Sequence, residues 1–164
     1  LENQVKDSIR AKHQAAIEAA LQEVFAEAEI VPKLEAELED VYAPHVQQLT
    51  EPSGPMVEKR LIDAISDGLR LAMEKHPQLV LMGQDIAEYG GVFKITQGFV
   101  EQFGKERVRN TPLCESAILG AALGLSIKGY KAMMEMQFAD FVTVGFNQIV
   151  NNLAKMHYRW GQHA

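Results

Sequence analysis

The short run Leu79-Val-Leu-Met-Gly83, which carries no polar side chain, constrains the fold of this chain more than any other stretch. A run of this length between helical patterns is typical of a strand that is buried on both faces of a parallel sheet. Two further predicted strands follow, at 108–111 and 130–136. Because helical patterns separate the three segments, the sequence predicts an α/β fold, a parallel sheet with flanking helices.

Apolar residues at helical spacing predict the helices that connect these strands. The predicted helices cover about 57–75, 93–103, 115–128 and 140–160. Gly104 is a natural end for the second helix, and Asp140 is predicted to be the N-cap of the last one. The third helix contains Gly120 and Gly124, which each cost about 1 kcal/mol relative to Ala, so we expect it to pack closely against a neighbour.

The first part of the chain differs in character from the rest. Residues 1–28 have the spacing of a long amphipathic helix. Residues 29–55 form an acidic, proline-punctuated connector in which 34–41 would add a short helix. The sequence therefore predicts two parts, a helical segment with its linker at 1–50 and an α/β domain at 51–164.

Composition excludes several classes of protein. A formal charge of -6 argues against nucleic acid as a partner, and no apolar run approaches the ~20 residues that a membrane span requires. The start is polar, without an initiator Met or a signal peptide, so we expect part of a longer chain. The single cysteine rules out an internal disulfide and a cysteine-ligated zinc site, and favours a reducing, cytoplasmic compartment. The five histidines show no metal-ligand spacing, so no metal site is predicted.

Glu115 is the main candidate for chemistry. It stands after the turn Thr111-Pro-Leu-Cys, where the second predicted strand leads into the small-residue helix. A rigid strand and helix on either side can present such a carboxylate to a ligand. The residues alone leave two explanations open, a plain carboxylate at a helix N-terminus and a ligand-binding group, and they favour the first. Cys114 beside it has no nearby base and is interpreted as a small apolar residue.

The loops after the strands supply weaker candidates. Ligands of open α/β sheets bind beyond the carboxyl ends of the strands, which makes the loop after Gly83 a candidate site. It contains no phosphate-binding motif. The carboxylates near strand ends, Asp85, Glu88 and Glu135, are interpreted as surface or loop hydrogen-bonding groups. Aromatic residues beyond the third strand are core residues by default, with stacking on a flat heterocycle as the alternative.

Three runs in the second part resemble a known family. They are Gly83-Gln-Asp-Ile-Ala-Glu-Tyr-Gly-Gly-Val-Phe-Lys, Arg107-Val-Arg-Asn-Thr-Pro-Leu-Cys-Glu, and Glu135-Met-Gln-Phe-Ala-Asp-Phe with Phe146-Asn-Gln-Ile-Val-Asn. With their order and spacing, residues 57–164 resemble the β subunit of thiamine-diphosphate-dependent 2-oxo acid dehydrogenases, of the branched-chain (2-oxoisovalerate) type. Residues 1–44 resemble, more weakly, the tail of the family's α subunit, which implies a fused α–β polypeptide.

The resemblance implies a fold, a cofactor and roles for three residues. It implies a partial pyrimidine-binding, transketolase-like domain in which Glu115 bonds a ring nitrogen of the cofactor's aminopyrimidine and is catalytic. Phe141 matches the aromatic residue that packs on the pyrimidine, and Leu113 is expected to be a second apolar contact. Thiamine diphosphate would be the cofactor, with magnesium bound by the α part.

The resemblance further implies the reaction and the partners. The parent would be a 3-methyl-2-oxobutanoate dehydrogenase, which decarboxylates a branched-chain 2-oxo acid and transfers the acyl group to a lipoyl group of the partner acyltransferase. We expect a homo- or hetero-oligomer that includes the α portion, no nucleic-acid or membrane partner, and no activity in this chain alone. Related chains usually carry Glu where this one has Gln84, and often Asp at Asn147. Because Gln84 carries no charge, proton coupling between cofactor sites is in doubt, with Asp85 beside it as the alternative group.

Two alternatives remain open from the sequence. Pyruvate or acetoin dehydrogenase β subunits share the same motifs. A non-catalytic assembly module would use the long helix, the acidic linker and the small-residue helix for interaction alone.

Overall fold

The structure, a computed structural model, describes residues 2–162, so the first residue and the last two lie outside it. Its contacts divide the chain after Leu38 into two compact units, which are described separately. The first contains α1 (Glu2–Ala26), and α2 (Leu34–Glu39) begins at its end. Both predicted N-terminal helices are therefore confirmed. The apolar residues of α1 are exposed, Val5, Ile9, Ile17, Leu21, Val24 and Phe25 among them.

The second unit is built on a three-stranded parallel sheet. Its strands are β1 (Leu79–Gly83), β2 (Val108–Asn110) and β3 (Lys131–Met134), in the order β2-β1-β3. The central strand β1 pairs on both sides: Leu81 lies opposite Val108 on β2 and Met133 on β3. The predicted parallel sheet is confirmed, and β2 and β3 are shorter than the predicted strands at 108–111 and 130–136.

Helices cover both faces of this sheet, which explains why β1 is apolar throughout. Leu79 and Leu81 point to one face and pack with α3 (Leu61–Lys75) and α4 (Phe99–Phe103). Val80 and Met82 point to the other face and pack with α5 (Glu115–Ile127). All five residues of β1 are buried as a result.

Arg107 fastens the end of α3 to the start of β1. Its guanidinium donates hydrogen bonds to the carbonyl oxygens of Met73 at 2.7 Å, His76 at 2.8 Å and Leu79 at 3.0 Å. The carbonyls at a helix end have no partner inside the helix, and a cation there also complements the helix dipole. Arg107, which belongs to one of the motif runs, therefore has a structural role and lies away from the carboxyl edge of the sheet.

The predicted helix at 93–103 is largely wrong, because only α4 at its end is helical. Residues before it form a compact loop with left-handed backbone at Gly90, Gly91, Lys94 and Gly98, which no helix accommodates. The loop is closed from inside by the buried hydroxyl of Thr96, which donates to the Ile86 carbonyl at 2.6 Å.

The single predicted C-terminal helix is also wrong, and Asp140 is not its N-cap. A 3-10 segment, Ala139–Gly145, comes first, and it is followed by α6 (Phe146–Asn151), a short 3-10 turn and α7 (Met156–Arg159). Leu119 of α5 presses on the backbone of the buried Gly145, where a Cβ would lie 2.1 Å from its Cδ1. Gly145 stands at the first break, and the weak helix formers Asn151 and Asn152 stand at the second.

Candidate active site

The site is built at the edge of the sheet where all three strands end. Beyond β2, the Thr111 amide donates to the Gly83 carbonyl at 2.9 Å, and beyond β3 the Glu135 amide donates to the Met82 carbonyl at 2.8 Å. The chain segments after β1, β2 and β3 therefore leave the sheet side by side. This places Gln84, the Thr111–Glu115 turn and Glu135 at one edge, as expected for a parallel sheet.

Glu115 is the first residue of α5 and is buried, with 7% of its surface exposed. One turn further along the same helix, Ile118 is inserted into the apolar layer beneath the sheet, which turns this side of the helix inward. The Gln84 amide nitrogen donates a hydrogen bond to Oε1 of Glu115 at 3.2 Å. No other described side chain or backbone amide donates to this carboxylate, so Oε2 remains free to accept a hydrogen bond.

Thr111 supplies a second polar group without a partner. Its hydroxyl oxygen is buried and makes no hydrogen bond within residues 2–162. A buried hydroxyl without a partner costs about 1–3 kcal/mol, so such groups are usually satisfied by a ligand or water. The buried hydroxyl of Thr111 and the free carboxylate oxygen of Glu115 thus occur within a single five-residue turn.

Three aromatic side chains lie in the segments that follow β1 and β3. Phe141, in the 3-10 segment that packs on α5, is half-buried and meets Phe138 edge to face, with ring centroids 5.4 Å apart. Phe138 in turn meets Phe93 of the loop after β1 at 6.1 Å. These three rings, from two segments after different strands, provide an apolar surface suited to a flat ring.

Leu113 has a different setting. It lies on the turn before α5, and 80% of its surface is exposed. The structure therefore brings Glu115 into a buried position and leaves Leu113 on the surface, and the proposed cofactor contact of Leu113 stays a prediction.

The packing of α5 on the following helix involves one of the departures from the family pattern. The Ser116 hydroxyl, next to Glu115, donates to Oδ1 of Asn147 at 3.0 Å, and the same oxygen accepts the Gln148 amide at 2.9 Å. Asn147 therefore has a structural role at the start of α6.

Glu88 stabilises the loop after β1, as the sequence interpretation expected. Its carboxylate accepts from Asn110 at 3.1 Å and lies 2.6 Å from the Lys105 ammonium. The hydrogen bond from Lys105 lowers the pKa of Glu88. Asn110 also accepts the Ala87 amide at 2.8 Å, so this cluster ties the loop to the end of β2.

The interpretation of Glu135 as a surface or loop hydrogen-bonding group is wrong. Its side chain is half-buried in an apolar pocket of about 250 Å³ lined by Ile65, Leu69, Leu81, Ile86, Ile95 and Met133. Among the described residues none donates a hydrogen bond to it, and burial raises the pKa of its carboxyl. In the sequence, the indication that the Glu135 side chain packs against β1 is Gly83. A Cβ at Gly83 would lie 2.9 Å from the Cβ of Glu135, so only glycine leaves room for it.

Residues 2–162 contain no cluster of three or more His, Cys, Asp or Glu side chains that could hold a metal ion. Within the same residues, no helix has the length and apolar character that a membrane crossing requires.

Residues 58–162 match the family described as "Transketolase, pyrimidine binding domain". The chain is 41% identical over 111 residues to the pyruvate dehydrogenase E1 component subunit beta of Leifsonia xyli, covering 68% of this chain and 33% of that protein. It is 47% identical over 98 residues to the 2-oxoisovalerate dehydrogenase subunit beta of Bacillus subtilis, covering 60% and 30%.

A mitochondrial 2-oxoisovalerate dehydrogenase subunit beta 2 of Arabidopsis thaliana is 46% identical over 101 residues, covering 62% of this chain and 28% of that protein. The chain thus spans about a third of the length of the curated relatives it matches. The resemblance to β subunits of 2-oxo acid dehydrogenases is confirmed, and these relatives do not separate the branched-chain type from the pyruvate type. Since the family match covers more than half of the chain, this protein belongs to the transketolase pyrimidine-binding domain family.

Proposed function

We propose that this chain is part of a 2-oxo acid dehydrogenase, in which it supplies the pyrimidine-binding portion of the β component. The parent would decarboxylate a branched-chain 2-oxo acid on thiamine diphosphate and pass the acyl group to a lipoyl group of its acyltransferase. The observation that carries the proposal is Glu115, a buried carboxylate with one free oxygen at the carboxyl edge of the sheet.

The described residues fit the pyrimidine ring of that cofactor. An aminopyrimidine is flat and carries ring nitrogens and an amino group, so it needs polar partners at its edge and apolar contact on its face. Glu115 and the unpartnered Thr111 hydroxyl would supply the polar partners, and Phe141 the apolar contact. Thiamine diphosphate, when bound, supplies a nucleophilic carbon and accepts the electrons released as carbon dioxide leaves.

The contribution of the chain's own residues is to bind, orient and hold a proton. The carboxyl of Glu115 would bond a ring nitrogen through Oε2 while Gln84 holds Oε1. Burial of this pair excludes competing water and strengthens the hydrogen bond. The base of α5 makes the position rigid, because Ile118 anchors the helix in the apolar layer.

The remaining parts of the site belong, in this proposal, to other segments. Residues 1–50 would be the tail of an α portion fused to the β portion that starts at 51. The α portion would hold the diphosphate and its magnesium, and the complete enzyme would be a cytoplasmic oligomer. The support is the family match together with the resemblance of residues 1–44, and this chain alone would be inactive.

Substitution of Glu115 in the complete enzyme tests the proposal. Glu115→Gln keeps the size of the side chain and removes its ability to hold and release a proton. Activity with 3-methyl-2-oxobutanoate should fall by about 10²–10⁴-fold, the range for loss of a positioned acid or base. Glu101→Gln, the same change at an exposed position on α4, is the matched control and should keep full activity. Full activity of Glu115→Gln would contradict the catalytic role proposed for Glu115.

A pyruvate dehydrogenase is the second candidate, because a pyruvate dehydrogenase subunit is among the relatives of comparable identity. The ratio of kcat/KM for 3-methyl-2-oxobutanoate to that for pyruvate decides between them. A ratio well above one supports the branched-chain assignment, and a ratio well below one replaces it with the pyruvate assignment.

A further inference from the structure

Gln84 donates the one hydrogen bond that the carboxylate of Glu115, the candidate catalytic group, accepts from the described residues. Gln84 is the first residue after β1 and continues its alternation, so it faces α5 as Val80 and Met82 do. It is half-buried, and its amide nitrogen lies 3.2 Å from Oε1. The contact joins residues 31 apart in sequence and arises from the fold.

Other donors near Glu115 are engaged elsewhere. The Ser116 hydroxyl donates to Asn147, and the thiol of Cys114 donates to the Pro112 carbonyl at 3.3 Å. The elements packed on α5 carry two charged groups, Lys131 on β3 and Asp140 in the 3-10 segment. Both are exposed, and neither makes an ion pair with Glu115. Orientation of the carboxylate therefore depends on a single neutral amide.

We propose that Gln84 is a positioning residue, which fixes the rotation of the Glu115 carboxylate by donating to Oε1 and so directs Oε2 toward the pyrimidine. This inference rests on the proposed role of Glu115. An amide suits the task because it always has a proton to donate and adds no charge. An ionised carboxylate at position 84 has no proton to donate and repels Glu115.

Two variants of the complete enzyme test this role. Gln84→Met has nearly the same shape and no donor, and Gln84→Glu replaces the donor by a group that donates only when protonated. Gln97→Met, at an exposed position of the loop after β1, is the control for the amide-to-thioether change. Each is measured for kcat with the branched-chain 2-oxo acid and, by calorimetry, for its dissociation constant for thiamine diphosphate with magnesium.

Gln84→Met should lower kcat by about 10–100-fold, the size of a hydrogen bond to a charged group. It should weaken cofactor binding by a smaller factor, and Gln97→Met should change neither. In the Glu115→Gln background, Gln84→Met should cause no further loss, because the group that it positions is already gone.

The pH dependence of Gln84→Glu distinguishes positioning from a general structural role. Its kcat relative to the unmodified enzyme should recover as the pH falls, because the introduced carboxyl regains a proton to donate. A flat ratio across pH, or wild-type kcat and cofactor affinity in Gln84→Met, would overturn the role of Gln84 while leaving that of Glu115 intact. If Gln84→Met does not fold, the pH ratio of Gln84→Glu decides alone. Full activity of Glu115→Gln would overturn both proposals.

Discussion

Two carboxylates at the same edge of the sheet, Glu115 and Glu135, have opposite surroundings. Glu115 lies on the α5 face, where a single amide holds one oxygen and the other is free. Glu135 lies on the α3 face, in an apolar pocket without a hydrogen-bond donor among the described residues. Gly83 and Gly91 leave the room that its side chain occupies, and a Cβ at Gly91 would lie 3.4 Å from Oε2.

The difference shows that burial of a carboxyl does not by itself define a site. Both groups are withdrawn from water, and only Glu115 combines burial with a fixed partner, a helix N-terminus and a second unpartnered polar group nearby. Glu135 experiences mainly the cost of desolvation, which raises its pKa.

The largest expected effect is on catalysis. Glu135→Gln and Glu115→Gln make the same isosteric change on the two faces. In the complete enzyme we expect at least about a hundredfold lower kcat for Glu115→Gln than for Glu135→Gln, because only Glu115 would hold a proton at the ring of the cofactor. Steady-state kinetics measures the difference, with circular dichroism as the check on folding. Equal losses in kcat would break the comparison.

Truncation of the core should reveal that the two faces differ in stability. Phe99→Ala removes a fully buried ring from the α3 face, where seven buried residues form one cluster. It should cost about 3–5 kcal/mol in free energy of unfolding. Ile118→Ala, on the α5 face with its cluster of three buried residues, should cost about 2–3 kcal/mol. Urea unfolding of both variants provides the measurement, and a larger cost for Ile118→Ala would contradict the prediction.

The loop that covers the Glu135 face should be sensitive to a single methyl group. Gly90 and Gly98 have nearly the same left-handed backbone, with φ of 80° and 81°. Gly98 faces open space, whereas a Cβ at Gly90 would lie 2.7 Å from Cα of Gln97.

Gly98→Ala should therefore cost about 1–2 kcal/mol, the strain of the left-handed conformation alone. Gly90→Ala should cost about 1–3 kcal/mol more because of the clash. Thermal unfolding of the pair isolates the steric part, and equal melting temperatures would show that the loop adapts without cost.

The smallest expected effect is the pH dependence contributed by Glu135. Because its pKa is raised in the folded protein, the folded state binds the proton more tightly than the unfolded state does. Stability should therefore fall as the pH rises from the ordinary carboxyl value through the raised one, and the loss should persist at higher pH.

Glu135→Gln should remove this fall, so that its advantage over the unmodified protein grows with pH. Free energies of unfolding from urea titrations that start near the ordinary carboxyl pKa, at about pH 4, and rise to about pH 8 measure it. Glu101→Gln, on the surface, should run parallel to the unmodified protein. The account of Glu135 fails if Glu135→Gln runs parallel as well.

Local patterns predicted the sheet well and its surroundings less well. The apolar run of β1 marked a strand buried on both faces, and Glu115 was placed at the start of a helix, as observed. The helix predicted from Phe93 was wrong because left-handed backbone at Lys94 and Gly98 depends on the packing of the loop. The last predicted helix is broken at Gly145, which packs closely against Leu119, and hydrophobic periodicity does not record such a tertiary contact.

By itself, the sequence determined the alternation of strands and helices and the family to which the chain belongs. Hydrophobic periodicity, turn residues and motif runs are local properties, so a short window of consecutive residues is enough to recognise them. The tertiary structure alone decided that Gln84 meets Glu115 across 31 residues and that Glu135 enters an apolar pocket on the other face. Both contacts depend on the order and register of the strands, because these determine which side chains share a face of the sheet.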